Sequence, residues 1–234
     1  MCVTTVDEAV DAVAAGADRL ELCAALEVGG VTPSPGTFLD VRAAVAVPVV
    51  VLVRPRPGGF VYSVCEWATV RRDADWFLAR WADGIVGGAL ERSGGLHHDY
   101  CRELVHAAGG RAVLHRAFDF LPNLADGLSA AIDLGFARVL TSGGAFTAES
   151  GAGVIAELWR QASGRIEVLP GGGVTPANVA RLIAATGCDQ VHGSFRTPVT
   201  GRRHVLAERM GDAATLDPYA VAAVRAELDR LTAR

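Results

Sequence analysis

Short apolar runs recur along the chain at residues 1–4, 19–23, 49–54, 84–88, 112–115, 138–141, 166–169 and 190–192, and between them the apolar spacing turns helical. Val6, Ala9, Val10, Val13 and Ala14 fall at i, i+3, i+4, i+7 and i+8, which places them on one helix face. Val70, Ala74, Phe77 and Trp81 repeat the pattern, as do Leu124, Leu128, Ala131 and Ile132, and near the end Val221, Val224, Leu228 and Leu231. Thr175-Pro176 and Asp217-Pro218 each set a capping oxygen before proline, which predicts two helix starts. Strands that alternate with helical crossovers must lie parallel, and eight such units favour an α/β fold closed into a single (β/α)8 TIM barrel. An open doubly wound sheet competes, but no GxGxxG follows the first strand, and the glycine-rich loops come late. The first stave is short, about four residues. The 234 residues approach the ~250 typical of such barrels and are read as one domain over 1–234. The aperiodic stretch 195–217, with Arg196, Arg202, Arg203, His204 and Arg209, is a lid, a contact between copies in a homo-oligomer, or a solvated loop.

Composition removes several functions. Half of the residues are hydrophobic and only 6% aromatic, so the core must be aliphatic, as buried parallel strands require. A net charge of −4 gives no long-range attraction for nucleic acid or an anionic membrane. No run reaches ~18 apolar residues and no basic leader opens the chain, so a cytoplasmic protein is expected. The five cysteines lack CxxC spacing, which suits reduced thiols. The chain has no lysine: all 22 basic residues are arginine. Arginine cannot form a Schiff base, so lysine-dependent aldolase chemistry is excluded.

Alternation along the second strand sends Leu20 and Leu22 to the helices and Glu21 and Cys23 inward. By the same argument Arg54, His115 and His192 end their strands facing the interior, so ionisable groups converge on the C-terminal mouth. Buried charges need partners: Glu21 and Arg54 form either an internal salt bridge or part of a substrate site. His115, in His115-Arg116-Ala117-Phe118-Asp119, suits proton transfer, with Asp119 to orient it and Arg116 as an anion clamp, or is simply a hydrogen-bonded core histidine. Arg54 and Arg56 present rigid guanidinium groups in Arg54-Pro55-Arg56-Pro57-Gly58-Gly59-Phe60. Thr141-Ser142-Gly143-Gly144 and Pro170-Gly171-Gly172-Gly173-Val174-Thr175 follow the sixth and seventh strands, where barrels commonly hold phosphate. His97-His98 do not converge on one helix face and are read as a solvated loop, with Asp99 as the cap of the next helix.

These motifs, together with Gly16-Ala17-Asp18-Arg19-Leu20-Glu21-Leu22-Cys23 and Gly29-Gly30-Val31-Thr32-Pro33-Ser34, resemble the CutC copper-homeostasis protein family. They run in family order from about Met1 to His192. The resemblance implies a (β/α)8 barrel in the cytosol that binds copper through cysteines near the ends of the first two strands, here Cys2 and Cys23. Soft thiolates suit Cu(I). Three departures stand out: the family's acidic residue ahead of the first cysteine has no counterpart, the aspartate of its Arg-Pro-Arg-Gly-Gly-Asp-Phe loop is missing, and its post-strand-8 motif reads His192-Gly193-Ser194.

Two functions are therefore open. One is a copper-homeostasis protein holding Cu(I) on Cys2 and Cys23. The other is an enzyme acting on a small phosphorylated or carboxylated polyol, with Glu21, His115, Asp119 and His192 for acid–base work. Arg54, Arg56, Arg116, Ser142, Gly171, Gly172, Gly173 and Ser194 would then hold the anion. No organic cofactor is expected for either.

Overall fold

The apolar runs pair side by side as parallel strands in chain order. The computed structural model describes residues 1–198 and 214–232. The elements are β1 (Cys2–Val3), α1 (Val6–Ala14), β2 (Leu20–Leu22), α2 (Pro35–Ala44), β3 (Val49–Leu52), α3 (Val64–Leu78), β4 (Gly84–Gly87), α4 (His98–Ala107), β5 (Ala112–Leu114), α5 (Leu124–Leu134), β6 (Arg138–Thr141), α6 (Ala152–Ala162), β7 (Glu167–Pro170), α7 (Val179–Thr186), β8 (Arg196–Pro198), β9 (Ala214–Leu216) and α8 (Pro218–Thr232). Strands β1 to β7 form one curled parallel sheet, and β8 pairs antiparallel with β9.

Alternation separates two cores. Leu20, Leu22, Val49, Val51, Ile85 and Leu114 point outward into the layer shared with the helices. Cys2, Cys23, Val50, Leu52, Val86 and Val113 form a second, inner cluster. Register fixes which groups meet inside: Cys2 lies opposite Glu21, and Glu21 opposite Val50. Because side chains alternate at every residue, a slip of one position would exchange the two cores. Side-chain caps set the helix starts, for example Ser63 with Glu66 in a reciprocal capping box on α3 and Asn123 on α5.

Several sequence-based expectations need correction. Residues 190–192 do not form a regular strand: the segment makes one parallel bridge, His192 to Gly171. The His192 N–H donates to Pro170 O at 2.8 Å, and the Cys2 N–H donates to Gly193 O at 2.9 Å, so the segment spans from β7 to β1 with a minimal ladder. Phe195, at φ 41°, then turns the chain away into β8. Strand β1 is shorter still than expected, two residues. Trp81 lies past the end of α3 and is 82% exposed, whereas Val70, Ala74 and Phe77 are buried. Thr175-Pro176 precedes a turn rather than α7 itself: Asn178 Oδ1 accepts the Thr175 N–H, and the helix begins at Val179. The cap of α4 is His97, not Asp99, which lies inside the first turn and pairs with Arg102. Asp217 does cap α8, accepting from the N–H groups of Tyr219 and Ala220. Of the aperiodic stretch, Arg196 is described and pairs with Glu8 of α1; Arg202, Arg203, His204 and Arg209 lie outside the described residues.

Candidate functional site

A cavity of about 490 Å³ opens at the carboxyl ends of the strands. At its floor the β1–β2 register brings Cys2 beside Glu21. The Cys2 Sγ lies 3.7 Å from Glu21 Oε1 and 3.6 Å from the Cys23 Sγ. From the opposite side His192 places Nε2 3.1 Å from Glu21 Oε2. One donor atom each from Cys2, Glu21 and His192 lies within 4.8 Å of the others. Cys23 is not part of that mutual set; it touches Cys2 and the Val3 carbonyl. Glu21 thus pairs with His192 and not with Arg54, the partner considered from the sequence.

The charges on this floor follow from burial and proximity. Burial alone would raise the Glu21 carboxyl, but the charge and hydrogen bond of His192 outweigh it and hold the carboxyl below its ordinary value. Burial alone would lower His192; Glu21 reverses this and, with Cys2, brings the imidazole up to about 9. At neutral pH the pair is carboxylate and imidazolium. The Cys2 thiol is pushed well up by its hydrogen bond with Cys23, by burial and by the Glu21 charge.

One wall is built by Arg54, Phe60 and His115. Arg54 follows β3, and its guanidinium donates to the carbonyls of Val28, Gly30 and Gly58 at 3.2, 2.7 and 2.6 Å. It therefore ties two loops together while packing 5.1 Å from the Phe60 ring. His115 follows β5; its Nδ1 accepts the Ala117 N–H at 3.3 Å, so the proton resides on Nε2, which is buried without a partner. Burial and the Arg54 charge lower His115 to about 4, against a smaller opposing effect of Glu21. It is a neutral donor at physiological pH.

The opposite wall comes from the loops after β5, β6 and β7. Asp119 does not reach His115. Its carboxylate accepts from Arg116, from Thr141 Oγ1 at 2.5 Å and from the N–H groups of Ser142 and Gly144. It is a clamp that orders the β6 loop and Arg116. Arg116 also donates to Ser142 Oγ at 2.7 Å. Gly172, at φ 103°, lets the backbone pass under that arginine: a Cβ there would sit 2.7 Å from Arg116 Nη1. Gly171, Gly172, Gly173, Ser194 and Arg116 border the cavity; Ser142 stands behind Arg116, and Arg56 turns away to Glu66 and the carbonyls of Gly59 and Val61.

The structure thus brings Cys2, Glu21, Cys23, His192, Arg54, His115, Arg116, Gly171–Gly173 and Ser194 to one cavity and leaves Arg56 outside it. Sequence reasoning separated Cys2 and Cys23, as metal ligands, from Glu21 and His192, as acid–base groups; the register merges them. Sequence reasoning did not find the Glu8–Arg196 ion pair, at 2.6 Å, which joins residues 188 positions apart. Its signal was the Thr5–Glu8 capping pattern alone.

Fold and floor together define a class: a βα-repeat protein with sulfur, imidazole and carboxylate donors gathered at the strand ends of a curled parallel sheet. The chain belongs to the CutC family, whose model matches residues 1–197. A CutC family protein of Sinorhizobium medicae is 41% identical over 239 residues, covering 100% of this chain and 97% of the relative. One from Treponema denticola is 44% identical over 193 residues, 82% and 78% of the two chains. Among solved structures, a CutC protein of Streptococcus agalactiae, assigned by name to copper homeostasis, superposes with a TM-score of 0.78 at 30% identity, covering 82% of this chain and 96% of that one.

Proposed function

We propose that the protein binds Cu(I) at Cys2 and His192, with Cys23 and Glu21 beside them, and serves copper homeostasis in the cytoplasm. The observation that carries this reading is the mutual 4.8 Å clustering of the Cys2, Glu21 and His192 donors with a second sulfur 3.6 Å from the first. The donor set fits: thiolate sulfur and imidazole are soft or intermediate ligands of the kind copper prefers. Copper bound here would supply the site's positive charge and draw the Cys2 sulfur to thiolate. The chain's own part is to present the donors and surrender protons, one from the Cys2 thiol and one from the His192 imidazolium, while Glu21 keeps the imidazole in place. The name of the Streptococcus agalactiae protein agrees with this reading. No described helix is long and apolar enough to cross a membrane. The scaffold we infer is one domain over residues 1–234, its sheet closed into a barrel by the contacts of residues 190–193 with β7 and β1.

Anaerobic titration of reduced protein against a chromophoric Cu(I) chelator tests the reading. One ion per chain is expected, with loss of uptake in Cys2→Ser, and weakening in Cys23→Ser and His192→Gln. Unchanged uptake in both cysteine variants would overturn it.

A further inference from the structure

A copper site accounts for the floor of the cavity and leaves its two walls unexplained. Arg54 is 5% exposed, and among the described residues no carboxylate pairs with it: its terminal N–H groups go to neutral carbonyls and its buried Nε meets no acceptor. His115 is equally buried, and its Nε2–H has no acceptor. Buried charges and donors left in that condition are costly, and they are commonly the positions at which a ligand supplies the missing group. A cation is the wrong complement for an arginine and an N–H donor. The other carboxylates near the cavity are already engaged: Glu21 with His192, Asp119 with Arg116, Glu8 with Arg196, and Asp217 with the first turn of α8.

Across the cavity, the backbone N–H groups of Gly173, Val174, Gly193 and Ser194 meet no acceptor among the described residues. The Arg116 guanidinium lies over Gly172 in the same place. Left-handed glycines that free successive amides beside an arginine form an oxyanion cradle, and its position after β7 and after the bridging segment is where barrel-type folds hold phosphate. The volume of about 490 Å³ is that of a small-molecule pocket.

We propose that this cavity holds a small hydroxylated organic oxyanion. Its phosphate or carboxylate lies on the Arg116 and Gly173–Ser194 side, and a second oxygen accepts from His115 Nε2–H beside Arg54. Binding does not depend on the copper reading, because the ligand occupies the walls and the ion the floor.

The test uses the full chain freed of metal by chelation, titrated calorimetrically with inorganic phosphate, glycerol 3-phosphate and glycerate. Saturable binding is expected, with glycerol 3-phosphate or glycerate at least about tenfold tighter than inorganic phosphate, since only they reach His115; the tighter of the two names the head group. Arg116→Met should weaken all binding by about tenfold, and His115→Phe should shrink the advantage of the organic ligands over phosphate. Arg116 also holds Asp119, so if Arg116→Met does not fold, His115→Phe decides. The proposal is overturned if none of the three ligands saturates the folded metal-free protein, or if the folded variants bind as the parent does. Failure here with Cu(I) uptake intact would leave the copper reading standing.

Discussion

Glu21 holds a position where burial and charge oppose each other, and the outcome is testable residue by residue. With Glu21 ionised, the His192 imidazole should titrate near 9 and His115 near 4, read from side-chain 15N shifts of the metal-free protein. Glu21→Gln removes the charge that contributes most to lifting His192, so only Cys2 then opposes burial and the His192 midpoint should fall well below about 9. A His192 midpoint unmoved by that change would contradict the pairing. The same shift has a stability consequence. The folded value lies above the unfolded one, so the stabilisation is complete below about 6.5 and is lost as pH rises through about 9. Denaturant midpoints of the parent should decline over that window, and those of Glu21→Gln should decline less. Glu21, Cys23, Arg54, His115 and His192 were legible as inward-facing groups from period two, and Cys2 from the family resemblance. Their pairing was not, since it depends on which strands adjoin and on where residues 190–193 pass.

At the level of elements, the loop after β6 and the start of α6 meet at van der Waals limits. A Cβ on Gly151 would stand 1.9 Å from the Ser142 carbonyl oxygen, whereas one on Gly153, a residue into α6, meets nothing within 4 Å. Gly151→Ala should therefore destabilise by roughly 1–3 kcal/mol or more, as overpacking does. Gly153→Ala should stabilise by about 0.5–1 kcal/mol through helix propensity. Thermal unfolding of the two variants checks both signs. A second junction ties α1 to β8 through Glu8 and Arg196. Burial opposes the ionisation of Glu8, but Arg196 and the Thr4 hydrogen bonds prevail and hold its carboxyl low. That stabilisation is present above the ordinary carboxylate range and disappears as pH falls through the lowered value. The stability gap between parent and Glu8→Gln should then be open at pH 7 and close in acid; a gap constant with pH would contradict the ion pair. Helix existence was legible from period 3.6, but the buried face of α1 was not. Val10 is 45% exposed while Glu8 is buried, because an ion pair across to β8 can outweigh a preference set by hydropathy alone.

For the whole molecule, the alternation of runs and stripes specified a parallel sheet with outer helices, and seven strands formed in chain order. The eighth run meets β7 through one bridge and β1 through the Cys2 N–H to Gly193 O bond before the turn at Phe195 leads the chain away into β8. The seam between β7 and β1 is thus the weakest line of the sheet. Amide exchange at Cys2 and His192 should be faster than at Val51 and Ile85, in the middle of the sheet, because opening free energy tracks local contact density. Filling the floor should slow it, since Cys2 and His192 lie on the two sides of that seam.

The two sulfurs on that floor also have a chemistry of their own. At 3.6 Å they form a vicinal-like dithiol across neighbouring strands. Any two-electron oxidant that joined them would consume both soft donors at once, so oxidation would compete with the proposed Cu(I) capture for the Cys2 sulfur. Reducing power, and not ion concentration alone, would then set how much of the protein is able to load.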